Sequence, residues 1–213
     1  MDELAGLPAT AALLLALASA GVPVGAAGQE RPDGADEPAR GGEASIEGTF
    51  VEGTHESGYG SRRYRLFEEE GIEAPSPLLV MLHGCTQDPA DLAAGTRMHE
   101  EAGAEGWLVL FPEQPARAHP QRCWNWYRPA DQAPGSGEPA ILAGMIEDVI
   151  DERDVDPGRV RVAGISAGAG MALVLAAVRP DLFDGVGLHS GVPYASARSR
   201  EEAIAVMAGE GPD

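Results

Sequence analysis

The chain has 213 residues, 44% of them hydrophobic, and a formal net charge of −19 at pH 7. This length is enough for one globular domain. Because 34 acidic residues face only 15 basic ones, the charge balance excludes a partner that is bound through a phosphate backbone, such as a nucleic acid.

Residues 1–44 are predicted to lie outside the folded domain. Within residues 1–27, an apolar run at positions 13–18 is followed by Ala18-Ser19-Ala20, the small-residue pattern typical of signal-peptide cleavage. Residues 1–27 are therefore predicted to be a cleaved signal peptide. No Arg or Lys precedes the run, so a disordered alanine-rich tail is the alternative. The run is too short for stable membrane insertion. Residues 28–44 contain almost no large apolar side chain, which predicts a disordered linker.

Two short strands open the predicted domain, which covers residues 45–213. They lie at 46–51 and 62–67, are separated by glycine-rich turn residues, and should pair antiparallel. Residues 78–82 then form a continuous apolar run. Such a run is typical of a strand that is covered on both faces, as in a parallel sheet flanked by helices.

The later elements alternate between helices and strands. They are a helix at 88–104 capped by Asp88 or Asp91, a strand at 107–111, a helix at 139–153, a strand at 159–163, a helix at 169–177 and a strand at 185–188. This alternation predicts an α/β domain with a doubly wound, mostly parallel sheet. Ligands bind at the C-terminal edge of such a sheet. Ser166 and the segments after Leu82 and Phe111 should meet there.

The most informative motif is Gly164-Ile165-Ser166-Ala167-Gly168, which lies between a predicted strand and a predicted helix. A catalytic serine on such a turn takes a strained backbone conformation, and small neighbours at −2 and +2 let strand and helix approach. Gly164 and Gly168 meet this need, so Ser166 is the candidate nucleophile. Because five-residue patterns also arise by chance, an ordinary serine in a glycine-rich turn is the alternative.

A serine nucleophile also needs a base, a carboxylate that orients the base, and backbone N–H donors for the developing oxyanion. The segment His83-Gly84-Cys85 follows the third strand, where hydrolases with this kind of turn place one donor, and the residue after the serine supplies the other. We therefore assign the N–H groups of Cys85 and Ala167 to an oxyanion hole. A simple tight turn at His83-Gly84 is the alternative.

Five short blocks follow one another between residues 50 and 194 in a specific order and spacing. They are LHGCTQ at 82–87, FPEQ at 111–114, CWNW at 123–126, GISAG at 164–168 with Met171, and HSGVPY at 189–194. Together they resemble the extracellular polyhydroxybutyrate (PHB) depolymerase and feruloyl or acetylxylan esterase family of α/β-hydrolases. The resemblance implies an α/β-hydrolase fold and a serine carboxylic-ester hydrolase.

The chain contains two cysteines, Cys85 and Cys123, and both fall at the C-terminal edge of the predicted sheet. The export that the resemblance implies permits their pairing, and we predict a disulfide bond between them. Two free buried thiols and a cysteine nucleophile are the alternatives. No C-x-x-C pair or histidine cluster indicates a metal site, and no cofactor is implied.

Aromatic residues follow the second cysteine at positions 124, 126 and 127. The resemblance implies a substrate-binding role for this segment, and Trp124 and Trp126 are the candidates, since a polyester or an aromatic acyl group could pack against them. Core aromatics that anchor a long loop are the alternative.

The base and its carboxylate partner are missing from the motif set. In α/β-hydrolases an acid and then a histidine follow the serine, but only His189 follows Ser166, and it comes too early in the chain to be the base. We expect it to be structural. Asp181 and Asp184 are expected in a turn at the opposite edge of the sheet. The remaining histidines outside the motifs are expected at the surface: His55, His99 and His119.

These observations lead to one hypothesis and two alternatives. The hypothesis is a secreted serine esterase that hydrolyses polyhydroxyalkanoate-type polyesters or acyl esters of plant polysaccharides through an acyl-Ser166 intermediate. We expect the domain to be truncated at its C-terminus, with the acid and the histidine beyond residue 213. The alternatives are a non-catalytic polymer-binding protein on the same fold, and another serine hydrolase, such as a lipase or a peptidase.

Overall fold

A computed structural model describes residues 48–210, and the predictions for 1–27 and 28–44 lie outside the described residues. Six strands form one mixed sheet. In chain order they are β1 (Gly48–Ser57), β2 (Gly60–Glu69), β3 (Ser76–Leu82), β4 (Leu108–Pro112), β5 (Val155–Ile165) and β6 (Gly185–His189). Their spatial order is β1-β2-β4-β3-β5-β6.

The pairing of the strands agrees with the sequence pattern. β1 pairs antiparallel with β2, as predicted, and β2 pairs antiparallel with β4. The pairs β4–β3, β3–β5 and β5–β6 are parallel. Every residue of β3 and β4 is buried, because both strands lie inside the sheet and are covered on both faces.

Helices cover the sheet from both sides. In chain order they are α1 (Pro89–Thr96), α2 (Met98–Ala104), α3 (Gly137–Glu152), α4 (Ala167–Val178) and α5 (Arg200–Met207). The residues at 78, 80 and 82 of β3 pack in one core cluster with α3 and α4, whereas those at 79 and 81 pack in a second cluster with α1 and α2. This three-layer arrangement confirms the predicted doubly wound α/β class.

The prediction of one helix over 88–104 is wrong. Arg97 adopts a left-handed conformation with φ 52°, which ends α1 and precedes α2. The Thr96 hydroxyl donates to a carbonyl one turn earlier, at 2.7 Å, a local bond that competes with regular helix. The predicted cap is confirmed, since Asp88 and Asp91 exchange side-chain to backbone hydrogen bonds in a capping box.

The parallel strands bring four chain segments to one edge of the sheet. Leu82 pairs in register with Gly164, and Ile165 pairs with His189. The residues that follow β3, β4, β5 and β6 therefore emerge side by side. A long loop, residues 113–136, leaves β4 at this edge and contains a short 3₁₀ helix, Pro129–Asp131.

Candidate active site

Ser166 forms the turn between β5 and α4, with φ 55° and ψ −119°. A positive φ is uncommon for a residue with a Cβ and persists only where the surroundings enforce it. The Ser166 N–H donates to the His189 carbonyl at 2.9 Å, and the Ser166 carbonyl accepts from the Gly170 N–H at 3.0 Å. The residue is exposed, so the turn presents Ser166 at the C-terminal edge of the sheet.

The two glycines of the motif let three backbone segments pack together. A Cβ built on Gly164 would lie 2.3 Å from the carbonyl atoms of Gly168, and a Cβ built on Gly168 would lie 2.1 Å from the Leu82 carbonyl oxygen. Backbone atoms cannot rotate out of the way as a flexible side chain can. The structure thus contains the close approach that the motif predicts, which favours a nucleophile turn over an ordinary serine turn.

The two predicted oxyanion donors lie on neighbouring turns. Ala167 is the first residue of α4, so its N–H has no acceptor within the helix. Cys85 is the third residue after β3, and a Cβ built on Gly84 would lie 3.6 Å from the Ser166 Cβ, so the two turns are in contact. Neither donor N–H has a protein acceptor within residues 48–210. Two unpaired N–H groups beside a serine are what an oxyanion hole requires.

The turn after β3 is fixed by the loop that follows β4. Cys85 and Cys123 form a disulfide bond with their Cα atoms 4.2 Å apart. This confirms the predicted pairing and excludes both free thiols and a cysteine nucleophile. The Thr86 N–H also donates to the Gln121 carbonyl at 2.6 Å. A covalent bond and a backbone hydrogen bond therefore link the two segments.

Burial of the aromatic residues favours their anchoring role. Trp124 is fully buried and Trp126 is only 4% exposed. The Trp124 Nε1–H donates to the His83 carbonyl at 3.0 Å. The Trp126 ring packs so close to α4 that a Cβ on Gly170 would lie 2.9 Å from it. Because little ring surface is left for a ligand, the positions of both residues favour the interpretation of core aromatics that hold the loop over direct contact with substrate.

His83 has a role that the motif alone did not reveal. The ring is fully buried, its Nε2 lies 3.1 Å from the Gln114 nitrogen, and its Nδ1 lies 2.8 Å from the Gly84 carbonyl oxygen. The Gln114 N–H can only donate, so Nε2 must accept and Nδ1 must carry the proton. Burial lowers the pKa of His83, which keeps the ring neutral. The signal that could have found this link is the joint presence of the 82–87 and 111–114 blocks.

A buried polar cluster also escaped the sequence analysis. The Glu138 cluster consists of Arg62, Gln114, Asn125, Asp131 and Glu138. Arg62 donates to the Glu138 carboxylate at 3.2 Å, and the Asn125 N–H donates to it at 2.8 Å. Burial, with a smaller contribution from the neighbouring Glu138 charge, raises the pKa of Asp131 to about 6. The cluster ties loop 113–136 to β2 and α3. No single motif marks it, because its members come from separate parts of the chain.

Three histidines that were expected at the surface are partly or largely buried, so that expectation is wrong. His55 Nδ1 lies 2.6 Å from the Asp148 carboxylate. His99 packs edge-on against Phe67, with ring centroids 5.1 Å apart. His119 is 8% exposed, and burial lowers its pKa. Each is held by packing or by a local partner, which accounts for its position without a catalytic role.

The residues that follow the serine lie at the two ends of β6. His189 is exposed at the end of β6. Asp181 and Asp184 precede β6 at the opposite edge of the sheet, and each forms an ion pair with an arginine. Across the described range 48–210, no imidazole or carboxylate forms a hydrogen bond with the Ser166 side chain. The base and the acid are therefore not assigned to residues of this range.

The described residues contain neither a cluster of metal ligands nor a membrane span. Between residues 48 and 210, no group of three or more His, Cys, Asp or Glu side chains is arranged to hold a metal ion. Nor does this region contain a helix with the length and apolar character needed to cross a bilayer.

The chain is similar in sequence to a known protein family and to individual proteins. Residues 64–211 match the family described as Esterase PHB depolymerase. The chain is 36% identical over 137 residues to poly(3-hydroxyalkanoate) depolymerase C of Paucimonas lemoignei, covering 64% of this chain and 33% of that protein. It is 27% identical over 139 residues to feruloyl esterase B of Thermothelomyces thermophilus, covering 65% of this chain and 47% of that one. The chain thus spans between a third and a half of the length of these relatives.

Comparison with solved structures gives the same result for the fold. Acetyl xylan esterase from Aspergillus awamori superposes with a TM-score of 0.63 and 22% identity, covering 71% of this chain and 56% of that structure. This likeness confirms the α/β-hydrolase fold. The family match extends over more than half of the sequence and includes all the blocks from 82–87 to 189–194. The chain therefore belongs to the Esterase PHB depolymerase family.

Proposed function

We propose that the protein is a serine carboxylic-ester hydrolase with Ser166 as its nucleophile. The observation that carries the proposal is the exposed Ser166 at a strained strand-to-helix turn, next to the unpaired N–H groups of Cys85 and Ala167. A turn of this kind costs conformational energy, and a strained, exposed serine beside two free donors matches the requirements for acyl transfer.

The proposed reaction has two steps. Ser166 Oγ attacks the ester carbonyl carbon, its proton passes to a base, and the alcohol leaves to give an acyl-Ser166 intermediate. Water then attacks the acyl carbon and releases the acid and the free serine. In both steps the carbonyl oxygen becomes negatively charged and accepts from the Cys85 and Ala167 N–H groups. We expect the base to be a histidine, as in other serine hydrolases, although none contacts Ser166 within residues 48–210.

We infer that the substrates are polyhydroxyalkanoate-type polyesters or acyl esters of plant polysaccharides. The names of the two relatives support this inference, since one is a poly(3-hydroxyalkanoate) depolymerase and the other is a feruloyl esterase. The net charge of −19 disfavours polyanionic substrates. Secretion is part of the same proposal, and the Cys85–Cys123 disulfide supports it, because such bonds persist in oxidising compartments.

Labelling with a fluorophosphonate probe tests the nucleophile. The full-length protein should form an adduct that mass spectrometry maps to Ser166 and that Ser166→Ala abolishes. Ser57→Ala is the matched control, since Ser57 is the last residue of β1, and this variant should still be labelled. If the parent protein forms no adduct, the esterase proposal fails, and a polymer-binding role becomes the better explanation.

A panel of substrates tests the chemical class. Hydroxybutyrate oligomers, feruloyl esters, acetylated xylan and peptides would be compared by kcat/KM. The proposal expects hydrolysis of at least one of the first three substrates and no hydrolysis of peptides. Preferential cleavage of peptides would instead identify a peptidase on the same fold.

A further inference from the structure

A cavity of about 330 Å³ lies beside the proposed ester site, and none of its lining residues takes part in the proposed reaction. It is lined by residues 52–54 of β1, residues 63–65 of β2, residues 88–90 at the start of α1, and Glu113 and Arg122 of the loop after β4. Tyr64 pairs with Pro112, the last residue of β4, so this part of the hairpin lies at the C-terminal edge of the sheet, as Ser166 does. The volume is large enough for a small ligand. We call it the arginine cavity, after the arginines at positions 63, 65 and 122.

Two residues of the cavity are held close to the proposed oxyanion donor Cys85. Arg122 directly precedes Cys123, and the Cα atoms of Cys123 and Cys85 are 4.2 Å apart. Since consecutive Cα atoms are about 3.8 Å apart, the Arg122 Cα lies within about 8 Å of the Cys85 Cα. Asp88 follows Cys85 by three residues, which separates their Cα atoms by at most about 11 Å. A substrate whose ester carbonyl reaches the Cys85 N–H can therefore place its neighbouring groups in the cavity.

Each arginine of the cavity is paired with a carboxylate. The pairs and their nitrogen–oxygen distances are Arg63–Glu113 at 2.9 Å, Arg122–Asp88 at 3.4 Å and Arg65–Glu52 at 3.8 Å. The three positive and three negative charges cancel, so the lining as a whole attracts neither an anion nor a cation. Partly exposed ion pairs contribute little to stability. A neutral ligand can therefore bond to these groups without the loss of a strong contact.

Arg65 is held mainly by stacking. Its guanidinium carbon lies 4.1 Å from the centre of the Phe50 ring, and the 3.8 Å contact with Glu52 is too long for a hydrogen bond. Its terminal N–H groups can therefore donate to a ligand. The exposed Thr54 adds a hydroxyl that can donate or accept. The cavity thus presents guanidinium donors and carboxylate acceptors side by side.

A saccharide matches this lining better than a polyester does. A sugar hydroxyl has one donor and two acceptor lone pairs, so it can donate to a carboxylate while it accepts from the paired arginine. A polyhydroxyalkanoate chain has only acceptors between its ends. It would cover the carboxylates of Glu52, Asp88 and Glu113 without bonding to them, and the burial of a polar group without a partner is costly.

We propose that the arginine cavity binds the uncharged sugar units next to the ester of an acylated polysaccharide. Its use as a substrate subsite rests on the proposed function, whereas sugar binding itself does not. The proposal goes beyond that function by selecting polysaccharide esters over polyesters and by assigning the sugar a place on the β1–β2 hairpin.

Calorimetric titration of the full-length protein with neutral tetrasaccharides that carry no ester tests this binding. The probes are xylotetraose, arabinotetraose and cellotetraose, and we expect saturable binding of at least one. Arg63→Gln and Arg122→Gln should each weaken that binding by about 10-fold, the usual effect of losing a hydrogen bond to a charged group. Arg161→Gln is the matched control, since Arg161 is also exposed and paired with a carboxylate but does not line the cavity. It should keep the affinity of the parent.

Two results would overturn the proposal. One is that no tetrasaccharide binds, or that Arg161→Gln weakens binding as much as the two cavity variants do. The other is that hydroxybutyrate oligomers bind in place of the tetrasaccharides and lose affinity in the cavity variants, which would make the cavity a polyester or anion site. Urea unfolding of each variant shows that it is folded, and the two cavity variants are independent of each other.

Fluorophosphonate labelling distinguishes a failure of this proposal from a failure of the proposed function. If the parent protein is labelled at Ser166 but binds no tetrasaccharide, the inference on the cavity fails and the proposed function stands. If the parent protein is not labelled but binds a tetrasaccharide with the expected ranking of variants, the proposed function fails and the cavity remains a saccharide site.

Discussion

Asp131 provides the sharpest test of the energetics of the Glu138 cluster. Its side chain is 5% exposed, and its Oδ1 accepts the Glu138 N–H at 2.6 Å. The substitution Asp131→Asn keeps an oxygen that can accept this bond but removes the ionisable group. We therefore expect the variant to be more stable than the parent protein at neutral pH.

The magnitude follows from the pKa of Asp131, which rises from its ordinary value of 3.8 to about 6 in the folded protein. Since a tenfold change in an equilibrium constant corresponds to about 1.4 kcal/mol, ionisation of this buried carboxyl costs up to about 3 kcal/mol of folding free energy. The group is neutral in both states well below pH 3.8, so the cost is absent there. It grows as the pH rises and reaches its full value above about pH 6.

Urea unfolding of parent and variant between pH 4 and pH 8 measures this difference. The free energy of unfolding of Asp131→Asn should exceed that of the parent by less than about 1 kcal/mol at pH 4, and by about 3 kcal/mol at pH 7. Asp181→Asn is the control of opposite sign. A hydrogen bond from Arg179 lowers the pKa of Asp181. The free energy of unfolding of Asp181→Asn, relative to that of the parent, should therefore be lower at pH 7 than at low pH. A difference for Asp131→Asn that does not change with pH would refute the reasoning.

Three further predictions concern the packing of the site. Gly168→Ala should lower the free energy of unfolding by about 1–3 kcal/mol or more, since the new Cβ would lie 2.1 Å from a backbone oxygen of β3. Gly95→Ala is the control and should not lower it, because the space around a Cβ at position 95 is open. Equal effects of the two substitutions in chemical denaturation would contradict this prediction. Replacing Cys85 and Cys123 together by serine should lower the free energy of unfolding by about 4 kcal/mol, since the disulfide closes a loop between residues 38 positions apart. A decrease below about 1 kcal/mol in urea unfolding would show that the entropy argument does not apply. Trp124→Phe removes one hydrogen bond and part of a fully buried ring, so stability should fall by about 1 kcal/mol or more while KM stays unchanged. A raised KM without loss of stability would restore the interpretation of a substrate contact.

The parts of the fold that were predicted correctly depend on short-range signals. The apolar runs at 78–82 and 107–111 predict buried strands, and the structure has β3 and β4 there. The glycines around Ser166 predict a tight strand-to-helix turn, because the positions that must lack a side chain lie close to the serine in the sequence. The disulfide is a longer-range feature, and it could be predicted because the family resemblance implies an exported protein and both cysteines fall at the same edge of the predicted sheet.

Most of what the sequence did not reveal depends on packing between distant segments, although the helix break at Arg97 also has a local contribution from the Thr96 hydroxyl. The break at Arg97 replaces one helix by two that contact neighbouring parts of the sheet. The burial of Trp124 depends on how residues 113–136 fold back over the sheet. The Glu138 carboxylate has partners that lie up to 76 residues away in sequence. Periodicity and short motifs carry no information on such contacts.

The hydrogen bond from the Ser166 N–H to the carbonyl of residue 189 should respond differently to point substitutions than to insertions or deletions. Because the acceptor is a main-chain atom, the type of side chain at position 189 does not determine whether the bond forms. A point substitution at position 189 should therefore leave this hydrogen bond in place. An insertion or deletion within β6 shifts the register of the carbonyls and should displace the Ser166 turn even when the protein still folds.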